Sequence, residues 1–180
     1  YPALKELGEE KAENIFYLTA KTITRTVAED TVRLLKKQGL YLSSVVITAK
    51  EKICIQEEMQ CNPDKCERAA GHFDRINEAL YALLNAEVAI NRENILLYAE
   101  KYSVCPYELS FEAAAWADCI ICDYNYVFDP HVNRKSLIEG SQRQNIYLID
   151  EAHNLLDRAR DMYSADIAKS DFKMPKKYFK

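Results

Sequence analysis

The chain has 180 residues, 48% of them apolar, and a formal net charge of −4 at neutral pH. That length can bury a real core in one or two domains, and the charge excludes a generally basic nucleic-acid coat while leaving room for a local basic groove. No run of about 18 apolar residues is present to span a bilayer, since Asp118 and Asp123 interrupt the most apolar stretch, residues 113–127. No signal peptide opens the chain, so an intracellular polypeptide with reduced thiols is expected. The four glycines are Gly8, Gly39, Gly71 and Gly140, and none is followed by Lys. A phosphate-cradling loop of the G-x-x-x-x-G-K-S/T type is therefore absent from this sequence.

Residues 1–8 read as the tail of a helix with Gly8 as its C-cap, an opening that suggests a longer polypeptide. Residues 14–19 are a short β-rich run between charges, which fits a buried strand. Residues 22–37 carry Ile23, Val27, Val32, Leu34 and Leu35, then stop at Lys36, Lys37 and Gly39, a helix C-terminus. Residues 44–48 read as a second buried strand. Strand, helix, strand in that order indicates a parallel α/β unit.

A cysteine segment interrupts the alternation. Cys54, Cys61, Cys66 and Cys105 are separated by six, four and thirty-eight residues. The first three lie in a polar, turn-rich stretch with no period long enough to bury them. A cluster of thiols outside a core suggests a bond to something. An iron–sulfur cluster and a structural zinc are the two candidates, with a disulfide third in a reducing compartment.

Ile76, Leu80, Leu83 and Leu84 mark one helix face, with Val88 continuing it, and Asn91 caps a second helix with Ile95, Leu96 and Ala99 inward. Cys105-Pro106 starts a third helix that runs to Trp116. The expected result is a small helical satellite closed by its first and last cysteines. Strand pattern resumes at residues 118–122, residues 131–144 are polar and loop-like, and residues 146–149 read as another buried strand. A helix over residues 154–162 follows, and residues 164–180 are polar and basic.

That last strand runs into Asp150-Glu-Ala-His153. In open α/β sheets ligands sit beyond the carboxyl ends of the strands. An acidic pair there suits nucleotide hydrolysis: Asp150 to hold Mg²⁺, Glu151 to orient the attacking water, and His153 to couple the site to its neighbours. The bland alternative is a solvated acidic turn before a helix, where carboxylates also suit the dipole. Cys119 and Cys122 have metal-like spacing but sit in a strand pattern on opposite faces, and read as small core residues. His72 could complete a zinc site with three cysteines, or be an ordinary polar residue at a helix start. His131 has no evident partner. Lys50, Lys52, Lys65 and Arg68 surround the cysteines as a DNA-facing rim or as a solvated face mixed with glutamates. The spacing of Tyr98, Tyr102 and Tyr107 favours packing over base stacking.

Taken together these motifs resemble the Rad3/XPD family of superfamily 2 DNA helicases, including its DinG-like bacterial members. Asp150-Glu-Ala-His153 matches the family's DEAH box, and residues 16–22 resemble its motif Ia. Cys105-Pro-Tyr107 matches the last cluster cysteine. Ala117-Asp118, Tyr124-Asn-Tyr126 and Asp129-Pro130 match the strand that returns to the motor. The resemblance implies an α/β fold: a partial RecA-like parallel sheet flanked by helices, with an inserted, mostly helical iron–sulfur domain. Residues 1–50 and 106–165 would be the partial motor domain, 51–105 the insertion, and 166–180 the start of an arch insertion or a tail.

It further implies that Cys54, Cys61, Cys66 and Cys105 hold a 4Fe–4S cluster, and that Lys21, Thr22, Thr24 and Arg25 contact single-stranded or forked DNA. The intact protein would be a 5′→3′ DNA helicase using Mg-ATP, a monomer, cytoplasmic or, in a eukaryote, nuclear. Without a Walker A loop or second motor domain, this polypeptide alone is expected to be inactive. The competing expectation is a zinc-stabilised, non-enzymatic module that binds nucleic acid or protein.

Overall fold

The computed structural model describes residues 1–20, 22–132 and 144–165, without the side chains of Thr22 and Ile23. Expectations for Lys21, for most of the 131–144 loop and for residues 166–180 lie outside the described residues. Five parallel strands form one sheet in the order β3-β2-β4-β1-β5: β1 (Ala12–Leu18), β2 (Ser44–Val46), β3 (Ala89–Ile90), β4 (Cys119–Cys122) and β5 (Gln144–Ile149). Parallel strands need crossover connections, and these bring helices onto both faces.

Alternation along the strands sorts the core in two. Phe16, Leu18, Val45, Ile47, Ile120 and Cys122 face one side, and Ile15, Val46, Cys119 and Ile121 face the other. The first side is covered by α4 (His72–Ala86), α5 (Arg92–Lys101) and α6 (Pro106–Ala114), through Ala79, Leu83, Ile95, Ala99, Leu109 and Ala113. The second lies under α1 (Pro2–Gly8) and α2 (Thr22–Lys37). The expected placement of Cys119 and Cys122 as core residues holds. Burial pushes the Cys119 thiol up to about 12, with Asp118 adding to it, and raises Cys122 as well.

Helix ends follow local chemistry. Gly39 stops α2 at φ +91°, with its amide on the Lys36 carbonyl and the Leu40 amide on Leu35. Asn91 caps α5 in a reciprocal pair with Asn94, at 2.9 and 3.1 Å. At α1 the expectation differs: Gly8 is the last helical residue, and the left-handed turn is made by Glu10. Among the described side chains of α2 the buried positions are Ala28 and Val32, four apart, while Val27 and Leu34 are exposed.

Two strand expectations are corrected. Val88 does not continue α4: Glu87 is already extended, and Ala89–Ile90 pair with Ser44 and Val45 of β2. The helical segment from 51 to 105 therefore contributes a strand to the main sheet. It also shares that sheet's core through Ile76, Leu83, Ile95 and Val104. β5 is not buried: among the described residues it pairs with β1 alone, and Tyr147 and Leu148 are exposed. Tyr147 stacks on Phe16 at 5.3 Å between ring centroids. Phe16 is fully buried, so Phe16→Ala is expected to cost about 3–5 kcal/mol, read as a lower urea midpoint at an unchanged slope.

Candidate functional site

The acidic turn sits where three strands end together. The Asp150 amide donates to the Leu18 carbonyl at 2.9 Å, extending the β1–β5 ladder by one residue. Tyr124, fully buried beyond β4, donates its hydroxyl to the Asp150 carbonyl. The Asp150 backbone is thus fixed from both sides. Its Oδ2 is buried and meets no hydrogen-bond partner among the described residues, an arrangement costly for a carboxylate unless something else completes it. Burial raises the Tyr17 and Tyr124 phenols, and the Asp150 charge raises both further.

Glu151 takes φ +50°, ψ +45°, a left-handed conformation that side chains with a Cβ adopt at a cost of roughly 1–2 kcal/mol. The turn swings its carboxylate out of strand direction, with Oε2 3.4 Å from His153 Nδ1. Both side chains are solvent-exposed. A 3-10 turn (Ala152–Asn154) then leads into a last described helix (Leu155–Met162).

Beside this turn, at the end of β1, the hydroxyls of Thr19 and Thr24 share a hydrogen bond, and Thr19 is buried. Thr24 is therefore turned inward. Arg25 is half-buried, with a buried Nε that has no hydrogen-bond partner among the described residues. Of the four residues expected at DNA, Lys21 lies outside the described residues, and so does the side chain of Thr22.

Cys54, Cys61, Cys66 and Cys105 all line one cavity of about 370 Å³, together with Lys50, His72 and Tyr107. Cys54 follows the short helix α3 (Lys50–Ile53), whose Ile53 is anchored in the core. Cys66 is set by a tight turn in which its amide reaches the Asn62 carbonyl at 2.8 Å, and the Asp64 amide reaches Asn62 Oδ1 at 2.9 Å. Cys105 is the residue before α6, with Pro106 opening the helix. Burial raises its thiol, against the amides of Glu108 and Tyr107. All six cysteines are free thiols.

Three side chains, two of them read in other roles from the sequence, make contacts here that spacing does not reveal. Arg75 donates to the carbonyls of Ala70 at 2.7 Å and Ser103 at 2.9 Å, and Arg68 to Ala99 at 2.6 Å. They clamp the cysteine turn to the corner that precedes Cys105. His72 is buried, and its Nδ1 accepts the Cys105 amide at 3.4 Å. Burial lowers its pKa, against the pull of Glu108 and Glu112. Isolated arginines and a histidine at a helix start carry no sequence signal for such contacts.

Lys50 lies over the Tyr107 ring at 5.2 Å. Burial works against its charge, but the hydrogen bond and charge of Cys61 outweigh that and raise its pKa. Tyr107 packs edge-on against Phe111 at 4.9 Å, and Phe111 against Tyr126 at 5.5 Å. Packing is thus what Tyr107 does here. Tyr98 and Tyr102 stack on each other, 6.5 Å apart.

A zinc ion would draw its thiolates in through bonds of roughly 2.3 Å. Among the described residues no three His, Cys, Asp or Glu side chains are grouped so as to hold a metal ion. No helix among them is long and apolar enough to cross a membrane.

Comparisons with known proteins bear on both halves of this arrangement. The DEAD_2 family model matches residues 18–172. Regulator of telomere elongation helicase 1 homolog of Anopheles gambiae is 25% identical over 179 residues, covering 92% of this chain and 18% of its own length. Fanconi anemia group J protein homolog of Gallus gallus is 34% identical over 92 residues, which is 51% of this chain and 7% of that protein. The chain thus spans less than a fifth of the curated relatives it matches. Among solved structures, a chain described as Truncated XPD shares the fold at a TM-score of 0.56 and 18% identity, over 89% of this chain and 45% of that one. The sheet is accordingly RecA-like, and the chain belongs to the DEAD_2 family of Rad3/XPD-like superfamily 2 helicases.

Proposed function

We propose that the chain is the part of an ATP-dependent, 5′→3′ DNA helicase that carries motif Ia, the DEAH box and an iron–sulfur lobe. The observation that carries this reading is Asp150: a carboxylate at the carboxyl edge of a parallel sheet, with a fixed backbone and one buried oxygen lacking a partner among the described residues. Such an oxygen suits a hydrated Mg²⁺, which keeps several waters and takes few protein carboxylates. Glu151, outside the strand and exposed, orients the attacking water, and His153 holds the Glu151 carboxylate. The sequence contains no G-x-x-x-x-G-K-S/T loop, so this stretch alone does not cradle ATP phosphates. Turnover belongs to a polypeptide that also supplies that loop.

Four thiols around one cavity are the donor set of a 4Fe–4S cluster. Bound there, the cluster supplies a rigid cross-link between the cysteine turn and α6. The chain's own residues do the rest: Arg68 and Arg75 set the turn, and His72 seats Cys105.

Single-stranded or forked DNA is the substrate in this reading, with the turn after β1 against its phosphates. Neutralising Lys21 and Arg25 together in the full-length helicase is expected to weaken single-strand binding. The salt dependence should fall by roughly 0.7 in log–log slope per lost phosphate contact. A salt series that superposes on wild type would remove these two side chains from the DNA path.

A further inference from the structure

A cavity of about 330 Å³ opens at the amino-terminal ends of the strands, lined by Tyr41, Trp116, Glu87, Val88 and Asp118. Val88 and Asp118 immediately precede β3 and β4, so this edge is opposite the one that bears Asp150. Tyr41 is 82% exposed and Trp116 69% exposed, large aromatic surfaces left to solvent at the rim. Asp118 is held in place: its Oδ2 accepts the Ser43 amide at 2.8 Å and the Ser43 hydroxyl at 2.7 Å, and its own amide returns to Ser43 Oγ at 2.8 Å. Its charge therefore stays at the cavity wall. Glu87 adds a second carboxylate, and among the described residues no Lys or Arg is in the lining.

We propose that this cavity is a docking site for an arginine side chain presented by an extended, basic segment of a partner protein. A guanidinium is flat, stacks on Trp and Tyr rings, and forks onto carboxylates, so the lining offers both kinds of group that it binds. Trp, Tyr and Arg are also the residues that concentrate binding energy at protein interfaces. The carboxylates repel phosphate, which sets this surface apart from a nucleic-acid path. Docking here leaves the acidic turn at the far edge open.

Trp116 is the single tryptophan of the sequence, so its emission reports occupancy directly. Titrating the chain with an amidated hexapeptide of alternating arginine and glycine is expected to shift Trp116 fluorescence saturably, less so as salt rises. Glu87→Lys is expected to weaken the peptide by about tenfold or more, and Tyr41→Ala by about fivefold. Both side chains reach solvent, and circular dichroism checks that both variants fold. The proposal is overturned if no saturable change occurs, or if both variants bind like wild type. It is equally overturned if a glutamate–glycine hexapeptide or a single-stranded oligonucleotide gives the same response. A Trp116 shift that grows with protein concentration alone would assign the face to a second copy instead.

Discussion

Glu151→Gln in the full-length helicase is expected to lower DNA-stimulated ATP turnover by about a hundredfold or more, with ATP binding nearly unchanged. The amide keeps the shape and the hydrogen-bonding reach of the carboxylate but not its basicity or charge. Because Glu151 projects from a left-handed turn into solvent, the exchange disturbs no packing. Asp150→Asn should behave differently. Its Oδ2 is buried without a partner among the described residues, so the variant is expected to raise the Mg²⁺ concentration needed for half-maximal turnover, along with losing rate. His153→Ala should cost less than either, since its side chain is exposed and its contact is to Glu151. Turnover by Glu151→Gln within about threefold of wild type would refute the hydrolytic role of the turn.

Cys105→Ser should empty the cysteine lobe. Purified without oxygen, the wild-type chain is expected to be brown and to carry about four irons and four sulfides, and the variant is expected to be colourless. Serine is close to cysteine in size and is a better helix N-cap, so α6 should survive the exchange. The loss of stability then reads as the loss of a cross-link, about 5–10 °C in melting temperature for roughly 2–3 kcal/mol. Cys122→Ala is the control, because that thiol lies in the core, on the buried strand β4. It should keep its iron. A colourless wild-type chain with one zinc per molecule would replace the cluster by the simpler metal.

Much of this was legible in the sequence because apolar runs and caps act locally. The run from Asn14 to Leu18, the stop at Gly39, the Asn91 cap and the Pro106 start each depend on neighbours within a few residues. So did the fate of Cys119 and Cys122, which strand alternation sends to opposite faces. What was hidden depends on partners distant in the chain. Two residues, Ala89 and Ile90, are too few to show a period and become a strand only by lying beside β2. β5 reads as buried because parallel strands are apolar throughout, yet only β1 covers its edge among the described residues. At the cysteine cavity the four cysteines were visible, whereas Arg75, Arg68 and His72 act across thirty residues or so on backbone atoms. Backbone partners leave no mark on composition.

The short strand Ala89–Ile90 has a mechanical meaning. Through it the cysteine-bearing segment is stitched to β2, at Ser44 and Val45, as well as joined to the sheet at its two chain ends. A lobe tethered only by its ends would pivot like a flap. This one meets any sideways load with strand hydrogen bonds in shear and with a shared core, so a duplex pressing on it would push against the whole sheet.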